Sequence, residues 1–537
     1  MTSRKMAIFA VVALLTCLAT LVGAQGPPAY DLLIRSVRIL DGTGAPWFRG
    51  DVAIRGDTIT ATGHVPAGEA RIVIDGRGQV VAPGFIDIHT HARRGILQVP
   101  TADNYTRQGV TTLIEGPDGS SPIPLAPFLA GIAAARPSAN FGTFIGQGSV
   151  RESVMGNVDR KATPAELEQM TRLVRDGMTE GAFGLSTGLF YTPGSYTPTE
   201  EIVVLARAAG ALGGIHVSHM RDEATKVTDS VRETIRIGEE GGLPTQVTHH
   251  KIIGNENWGK SAETLRLVEE ARTRGVDVTI DQYPYTASST SISAALMPKW
   301  ALEGSQQDVV KRLADPAQRE RIKQAVVSML AHERGGGDPS RVSISSCRWD
   351  PSLAGKNLAE ITRGFGMEPT LENAAEAAMQ IVQRGGAQGI FHAISEEDLQ
   401  RILRFPLTMI ASDGEVPIFG KESPHPRSYG TFVRVLGVYV REKQVLRLEE
   451  AVRKMTSLPA MRLGLPDRGI LRPGMKADLV LFDPQRVRDT ATFENPHQYA
   501  EGILLVVVNG QVIFDGKDMT AARPGRILYG PAFRAAQ

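Results

Sequence analysis

The chain has 537 residues, 42% of them hydrophobic, enough for a large buried core and a satellite domain. Its 59 basic and 58 acidic residues nearly cancel, which excludes the strongly positive surface of a nucleic-acid binder or a polybasic membrane patch. Its 2 cysteines, Cys17 and Cys347, lie far apart, the first within an apolar leader, so no disulfide is expected in the mature protein.

Arg4 and Lys5 precede the almost wholly apolar Met6–Leu21, and Val22-Gly23-Ala24 offers small residues for cleavage. This is the pattern of a signal peptide over residues 1–24. Its apolar core is short for a bilayer span. An uncleaved leader serving as an anchor is the alternative, and Thr16 disfavours lipidation at Cys17. Cleavage removes two basic residues and no acidic ones, so the 59 and 58 become 57 and 58, a net charge of −1. No later stretch is long and apolar enough to cross a membrane. The expected destination is a periplasm or the cell exterior.

Leu32–Ile39, Val52–Ile59 and Ile72–Val81 are short β-branched runs separated by Asp41-Gly42-Thr43-Gly44, Arg55-Gly56-Asp57 and Asp75-Gly76. The same texture returns in Ala477–Phe482 and in Ile503–Phe514, the latter turned by Asn509-Gly510. Residues 25–81 and 468–537 are therefore expected to form one small β-sandwich from both chain ends. Residues 82–467 lie between them and alternate apolar runs with helical patterns. Candidate strands are Phe85–His89, Thr111–Glu115, Phe141–Ile145, Ala182–Leu185, Gly214–His219, Thr245–His249, Val276–Gln282 and Thr408–Ala411. Pro164–Gly181 places Leu167, Met170, Leu173 and Val174 on one helical face. Repeated βα units of this kind predict an α/β fold, a closed (β/α)₈ TIM-like barrel. Between the seventh and eighth strands, Gln306–Arg341 is charged and helical in pattern and closes with Gly335-Gly336-Gly337-Asp338-Pro339. It reads as an insertion over the barrel mouth, either a lid or a passive excursion.

In Phe85-Ile86-Asp87-Ile88-His89-Thr90-His91 the two histidines leave the same face of an extended strand and can share one ion. Asp118 follows the second strand, His219 ends the fifth, His249 the sixth, and Asp413 follows the eighth. In such a barrel the carboxyl ends of the strands carry the chemistry. Four histidines with carboxylates suit zinc or a similar divalent metal, as one or two ions. His250 adjoins a ligand and points the other way on an extended backbone, so it is read as packing or support. His216 is read as structural, and His64, His332, His392 and His497 have no partner pattern.

These segments resemble the amidohydrolase superfamily, and within it the D-aminoacylase (N-acyl-D-amino-acid deacylase) family. The resemblance is carried by Pro83-Gly84-Phe85-Ile86-Asp87-Ile88-His89-Thr90-His91, Gly184-Leu185-Ser186-Thr187-Gly188-Leu189 and Ser218-His219-Met220-Arg221-Asp222-Glu223. It continues in Thr248-His249-His250-Lys251, Asp281-Gln282-Tyr283-Pro284-Tyr285, Ala411-Ser412-Asp413-Gly414 and His425-Pro426-Arg427-Ser428-Tyr429-Gly430. It implies that His219 and His249 hold the tighter metal, that His89 and His91 serve a second position, and that Asp413 is the catalytic acid/base. Related enzymes carry a cysteine ligand where this sequence reads Gly116-Pro117-Asp118-Gly119. Asp118 replaces a soft thiolate with a carboxylate able to bridge two ions, and Glu115, deeper in the strand, is the alternative.

The resemblance also implies that Lys251, Tyr283 and Arg427 contact the acylated amino acid, with Tyr191 and Ser288 lining the same pocket. A guanidinium forks onto a carboxylate, which makes Arg427 the expected α-carboxylate anchor. The activity implied is hydrolysis of the linear amide of a small-molecule N-acyl-D-amino acid to a carboxylate and a free D-amino acid, by metal-activated water with Asp413 moving the proton. The rivals are a cyclic-amide hydrolase or dipeptidase of the same superfamily, or a catalytically inactive binding protein on the same barrel. The intact His89, His91, His219, His249 and Asp413 argue against the last.

Overall fold

The computed structural model describes residues 29–65 and 70–534; the leader expected over 1–24 lies outside them. Among the described residues no helix is long and apolar enough to cross a membrane.

The barrel strands all pair in parallel. Phe85–His91 pairs with Val110–Glu115, which pairs with Asn140–Thr143. After a break at Phe144 the third strand resumes as Ile145–Gly146 against Gly184–Gly188. Then follow Ile215–His219, Thr245–Val247, Val278–Gln282 and Thr408–Ile410 in order. Closure comes from Gly414–Glu415, which continues the eighth strand and pairs back onto the first at Thr90 and His91. The ring is thus closed by two interrupted strands, the third and the eighth. An apolar cluster of Ile86, Ile88, Ile114, Val217, Met409 and Leu458 ties together the first, second, fifth and eighth strands and the helix Ser457–Leu463.

Local chemistry explains the covering helices. Pro164–Glu180 begins with a capping box, Thr163 with Glu166, and Pro164 in its first turn. It buries Met170, Val174 and Met178, with Leu167 and Leu173 packed at the margin of the same cluster. That is the face marked out by the helical periodicity.

The two ends of the chain meet in one small domain. Its strands form a single eight-stranded network branched at Tyr30–Ile39, which pairs with Phe48–Arg55 on one side and with Ala70–Asp75 and Val80–Pro83 on the other. From the far end, Leu479–Phe482 joins at Val80–Pro83, followed by Ile503–Val508 and Gln511–Phe514. A bridge from Thr58 to Lys476 draws the network back on itself, around a core that includes Leu32, Ile34, Val52, Leu479 and Val507. The domain is pinned to the barrel by buried polar groups. Arg468 pairs with Asp478, which accepts from the Asn509 backbone at 2.6 Å and from Asn140 at 3.0 Å. Removing one partner of such a buried pair costs about 3–5 kcal/mol.

The excursion between the seventh and eighth strands is wider than Gln306–Arg341. It carries its own antiparallel sheet, ordered Ser288–Ser291, Gln388–Phe391, Val342–Ser346. Helices such as Pro316–Met329 and Leu371–Gln383 pack on it around Ile322, Val326, Ile344, Ile381 and Phe391. Charge and periodicity mark only the helical middle of this unit, because its short strands lack the β-branched runs that flag a strand.

Candidate metal centre

Barrel register brings the candidate ligands together. Ser218 lies opposite Val247, so His219 at the end of the fifth strand and His249 just past the sixth are neighbours. His249 falls beyond the expected strand end, at φ 32°, and Asp413 has φ 51°. Both occupy the left-handed region, which costs a non-glycine residue of order 1–3 kcal/mol. The sixth strand ends at Val247, so His250 lies outside it. Its ring meets Thr264 at 2.7 Å and burial lowers its pKa to about 3, so it packs and does not ligate. Asp118 sits in a turn whose Gly119 (φ 75°) could not carry a side chain, because a Cβ there would lie 2.4 Å from the Gly188 nitrogen.

Two groups result. His89, His91, Asp118 and Asp413 form one, and Asp118, His219 and His249 the other, each with ligand atoms within 4.8 Å of one another. Asp118 belongs to both. Its oxygens lie 3.4 Å from His89 Nε2, His91 Nε2 and His249 Nε2, and 3.5 Å from His219 Nδ1. Asp413 Oδ1 is 3.0 Å from His91 Nε2. His249 Nε2 and His219 Nδ1 face each other at 2.7 Å.

Buried polar atoms without hydrogen-bond partners include both ring nitrogens of His89 and Asp118 Oδ1. Orphaned donors converging in this way fit a divalent cation, and nitrogen with carboxylate oxygen is a suitable donor set for zinc. Electrostatics agree. Burial opposes protonation of His89, yet Asp118, Asp413 and Asp281 raise its pKa well above the ordinary imidazole value. His91 is raised to about 9 against burial by Asp118 and Asp413. His219 is lowered to about 4 by burial and by the neighbouring His249. The carboxylates demand positive charge at this mouth.

Two supporting carboxylates have no distinguishing sequence signal. Asp281 in the seventh strand accepts from the His249 backbone at 2.7 Å and from Gln246 at 2.5 Å, and stands 3.4 Å from His89 Nδ1. Glu223 lies 3.3 Å from His249 Nδ1 and 3.7 Å from His219 Nε2. A carboxylate behind an imidazole holds the proton on the rear nitrogen and leaves the front lone pair for a cation. Only their place beside ligands in the motifs containing His219 and Tyr283 could have singled them out. Glu115 lies in neither group and accepts from the Arg93 backbone at 2.9 Å. His216 bonds Thr187 and Thr245 at 3.0 and 2.8 Å and is structural.

A cavity of ≈280 Å³ opens on the centre, with His91, Asp118, Tyr191, Thr290, Gln388 and Arg427 among its walls. A narrow cleft beside it is lined by Lys251, Tyr283, Ser288 and Arg334 together with His219 and His249. All five residues expected to bind substrate therefore face this region. Arg427 Nη1 lies 2.7 Å from Asp413 Oδ2, and its guanidinium stands 4.8 Å from the Tyr283 ring centre. Lys251 Nζ is 2.5 Å from Glu223 and 2.7 Å from His249 Nδ1. The Tyr283 and Ser288 hydroxyls are buried without partners, whereas the Tyr191 hydroxyl accepts from Thr290 at 3.2 Å.

A parallel barrel with histidine and carboxylate gathered at the carboxyl ends of its strands is an arrangement suited to metal-dependent hydrolysis. Residues 72–514 match the amidohydrolase family (Amidohydro_3), and the chain belongs to that family. It is 37% identical to a D-aminoacylase of Alcaligenes xylosoxydans xylosoxydans, over 93% of this chain and 97% of that protein. A solved D-aminoacylase described for its binuclear metal centre superposes with a TM-score of 0.79 at 36% identity, over 93% of this chain and 100% of the other. The N-acyl-D-glutamate deacylase of Bordetella bronchiseptica, solved with zinc and a phosphonate mimic of the tetrahedral intermediate, gives a TM-score of 0.79 at 34% identity, over 93% and 100%.

The double membership of Asp118 generates a prediction. Asp118→Ala should lower metal content, leaving at most one weakly held ion, and Asp118→Cys should restore a site biased toward zinc because thiolate is softer. Elemental analysis after dialysis reads both. Undiminished metal in Asp118→Ala would make Asp118 a turn residue only.

Proposed function

We propose that this protein hydrolyses N-acyl-D-amino acids to a carboxylate and a free D-amino acid. The observation that carries the reading is the pair of ligand groups sharing Asp118, beside a cavity walled by Arg427. Near-full-length similarity to deacylases of D-amino acids supports the substrate class. The metal is zinc or a similar divalent ion, held by His219, His249 and Asp118, with a second position at His89, His91, Asp118 and Asp413. When bound, it supplies Lewis acidity toward water and toward the amide oxygen.

The remaining steps belong to the protein's own residues. Asp413 is the acid/base: it takes a proton from the attacking water and returns it to the leaving nitrogen. Burial opposes its ionisation, but Arg427 and the histidines hold it well below the usual carboxylate range. Arg427 thus touches Asp413, at 2.7 Å, and also walls the cavity that admits the substrate. Tyr283, Ser288, Lys251 and Tyr191 complete the substrate wall. The leader-like Met1–Ala24 supports export to a periplasm or the exterior.

The reading is tested by assaying metal-loaded protein on N-acetyl derivatives of D- and L-methionine, leucine, aspartate and glutamate, with dihydrouracil as the cyclic amide. Turnover confined to the linear amides of the D-amino acids is expected. Preference for L-substrates or for the cyclic amide would overturn it. In the same assay Asp413→Asn should retain metal at His219 and His249 yet lose at least about 10²-fold in kcat. Near-normal turnover would assign the proton transfer elsewhere.

A further inference from the structure

We propose that Arg334, brought into the cleft by the excursion between the seventh and eighth strands, binds a carboxylate of the substrate and sets the preference for anionic substrates. The inference rests on the function proposed above and adds a residue from outside the barrel strands.

Arg334 ends the π-helical segment Leu330–Arg334, next to three glycines. Single π-turns inserted at the end of a helix are often found at functional sites. The residue is 2% exposed, yet among the described residues it makes neither an ion pair nor a side-chain hydrogen bond, and its Nε is buried without a partner. Its guanidinium lies 4.9 Å from the Phe190 ring centre and 6.0 Å from that of Phe391. Glu333, next to it in the chain, feels its charge without pairing with it, and aromatic faces offset only part of the desolvation of a guanidinium, so a buried arginine without an ion pair is poised for an anion.

The other cations in and around the cleft are matched. Arg427 faces Asp413 at 2.7 Å, and Lys251 faces Glu223 at 2.5 Å. Lys299 lies 3.7 Å from the same Phe190 ring centre, but it donates to the Ala294 carbonyl at 2.8 Å. Burial and the charge of Arg334 lower its pKa to about 7, so it can shed its proton. A guanidinium cannot. Arg334 is thus the permanent cation of the cleft that lacks a carboxylate, in a wall that also presents the unpartnered hydroxyls of Tyr283 and Ser288. A planar fork with two hydroxyl donors is a suitable reader of a carboxylate. The cleft has room for about one water, ≈10 Å³, and shares Tyr191, Ser289 and Thr290 with the larger cavity. A carboxylate entering from that cavity widens it by displacing side chains of the excursion.

The carboxylate has two possible sources, the α-carboxylate or an acidic side chain, and three substrates separate them. Wild type, Arg334→Met and Arg334→Lys, matched for metal content and circular dichroism, are assayed on N-acetyl-D-glutamate, N-acetyl-D-glutamine and the carboxamide of N-acetyl-D-glutamine. Arg334→Met should raise KM roughly 10- to 150-fold for substrates bearing the recognised carboxylate, the range for losing a charged hydrogen bond. It should leave kcat much less changed, and Arg334→Lys should recover part of the loss. A loss on the glutamate alone identifies the side-chain carboxylate; a loss on both acids but not the carboxamide identifies the α-carboxylate. Equal effects on all three, or none, would overturn the proposal. If wild type cleaves none of them, the proposed function fails, and calorimetric binding of D-glutamate to wild type and Arg334→Met still decides the role of Arg334. Weaker binding by the variant supports it, and equal binding overturns it.

Discussion

Asp118 lies within 3.5 Å of four imidazole nitrogens that come from three barrel strands. A carboxylate buried at such a point keeps its charge only while cations surround it. Burial pushes the Asp118 pKa up, and the facing histidines more than reverse the shift, holding it well below the ordinary range. A divalent ion held between these groups would meet the same demand. The rest of the mouth answers this one demand. Asp281 and Glu223 stand behind the rings of His89, His219 and His249, on the side away from Asp118, and Asp413 supplies the second carboxylate.

The fold delivers these groups through departures from a regular barrel. The second strand ends in a turn narrow enough to require Gly119, which sets Asp118 between the first and fifth strands. His249 and Asp413 leave their strands with left-handed backbone, and each is held by a bond to a neighbouring strand. Asp281 Oδ1 accepts from His249 N at 2.7 Å, and the His89 carbonyl accepts from Asp413 N at 2.9 Å. The eighth strand then resumes at Gly414–Glu415 against the first. Closure of the ring and placement of Asp413 are therefore one structural event. Strain at both residues is borne by the surrounding hydrogen bonds.

The residues that cluster at the barrel mouth were legible in the sequence because they obey a local rule. His89 and His91 follow strand alternation, and Asp118, His219, His249 and Asp413 each fall where an apolar run ends. The joining of the two chain ends was legible for a similar reason, since short β-branched runs separated by turn residues, without helical patterns between them, recur at both ends. What was hidden depends on distance. Asp281 and Glu223 are ordinary acids until barrel closure sets them behind histidines of other strands. The positive φ of His249 has no sequence signal, because the residue is neither glycine nor asparagine. Arg334 is one arginine in a charged segment, and only burial of that segment against Phe190 distinguishes it. The three-stranded sheet of the excursion was missed because Ser288–Ser291 and Gln388–Phe391 are short and carry few β-branched residues.

The excursion and the small domain serve the mouth differently. The small domain's buried Arg468, Asp478 and Asn509 fasten to Asn140 of the third strand, well away from the ligands, and stabilise the barrel wall. The excursion reaches the chemistry itself, through Ser288 and Arg334. One shared carboxylate holds the two ligand groups together, and anomalous diffraction at the zinc edge from crystals equilibrated with zinc tests that role most directly. The predicted map has a peak bounded by Asp118, His219 and His249 and, at higher zinc, a second bounded by Asp118, His89, His91 and Asp413. Peaks that both leave Asp118 uncoordinated, or zinc confined to other residues, would contradict it.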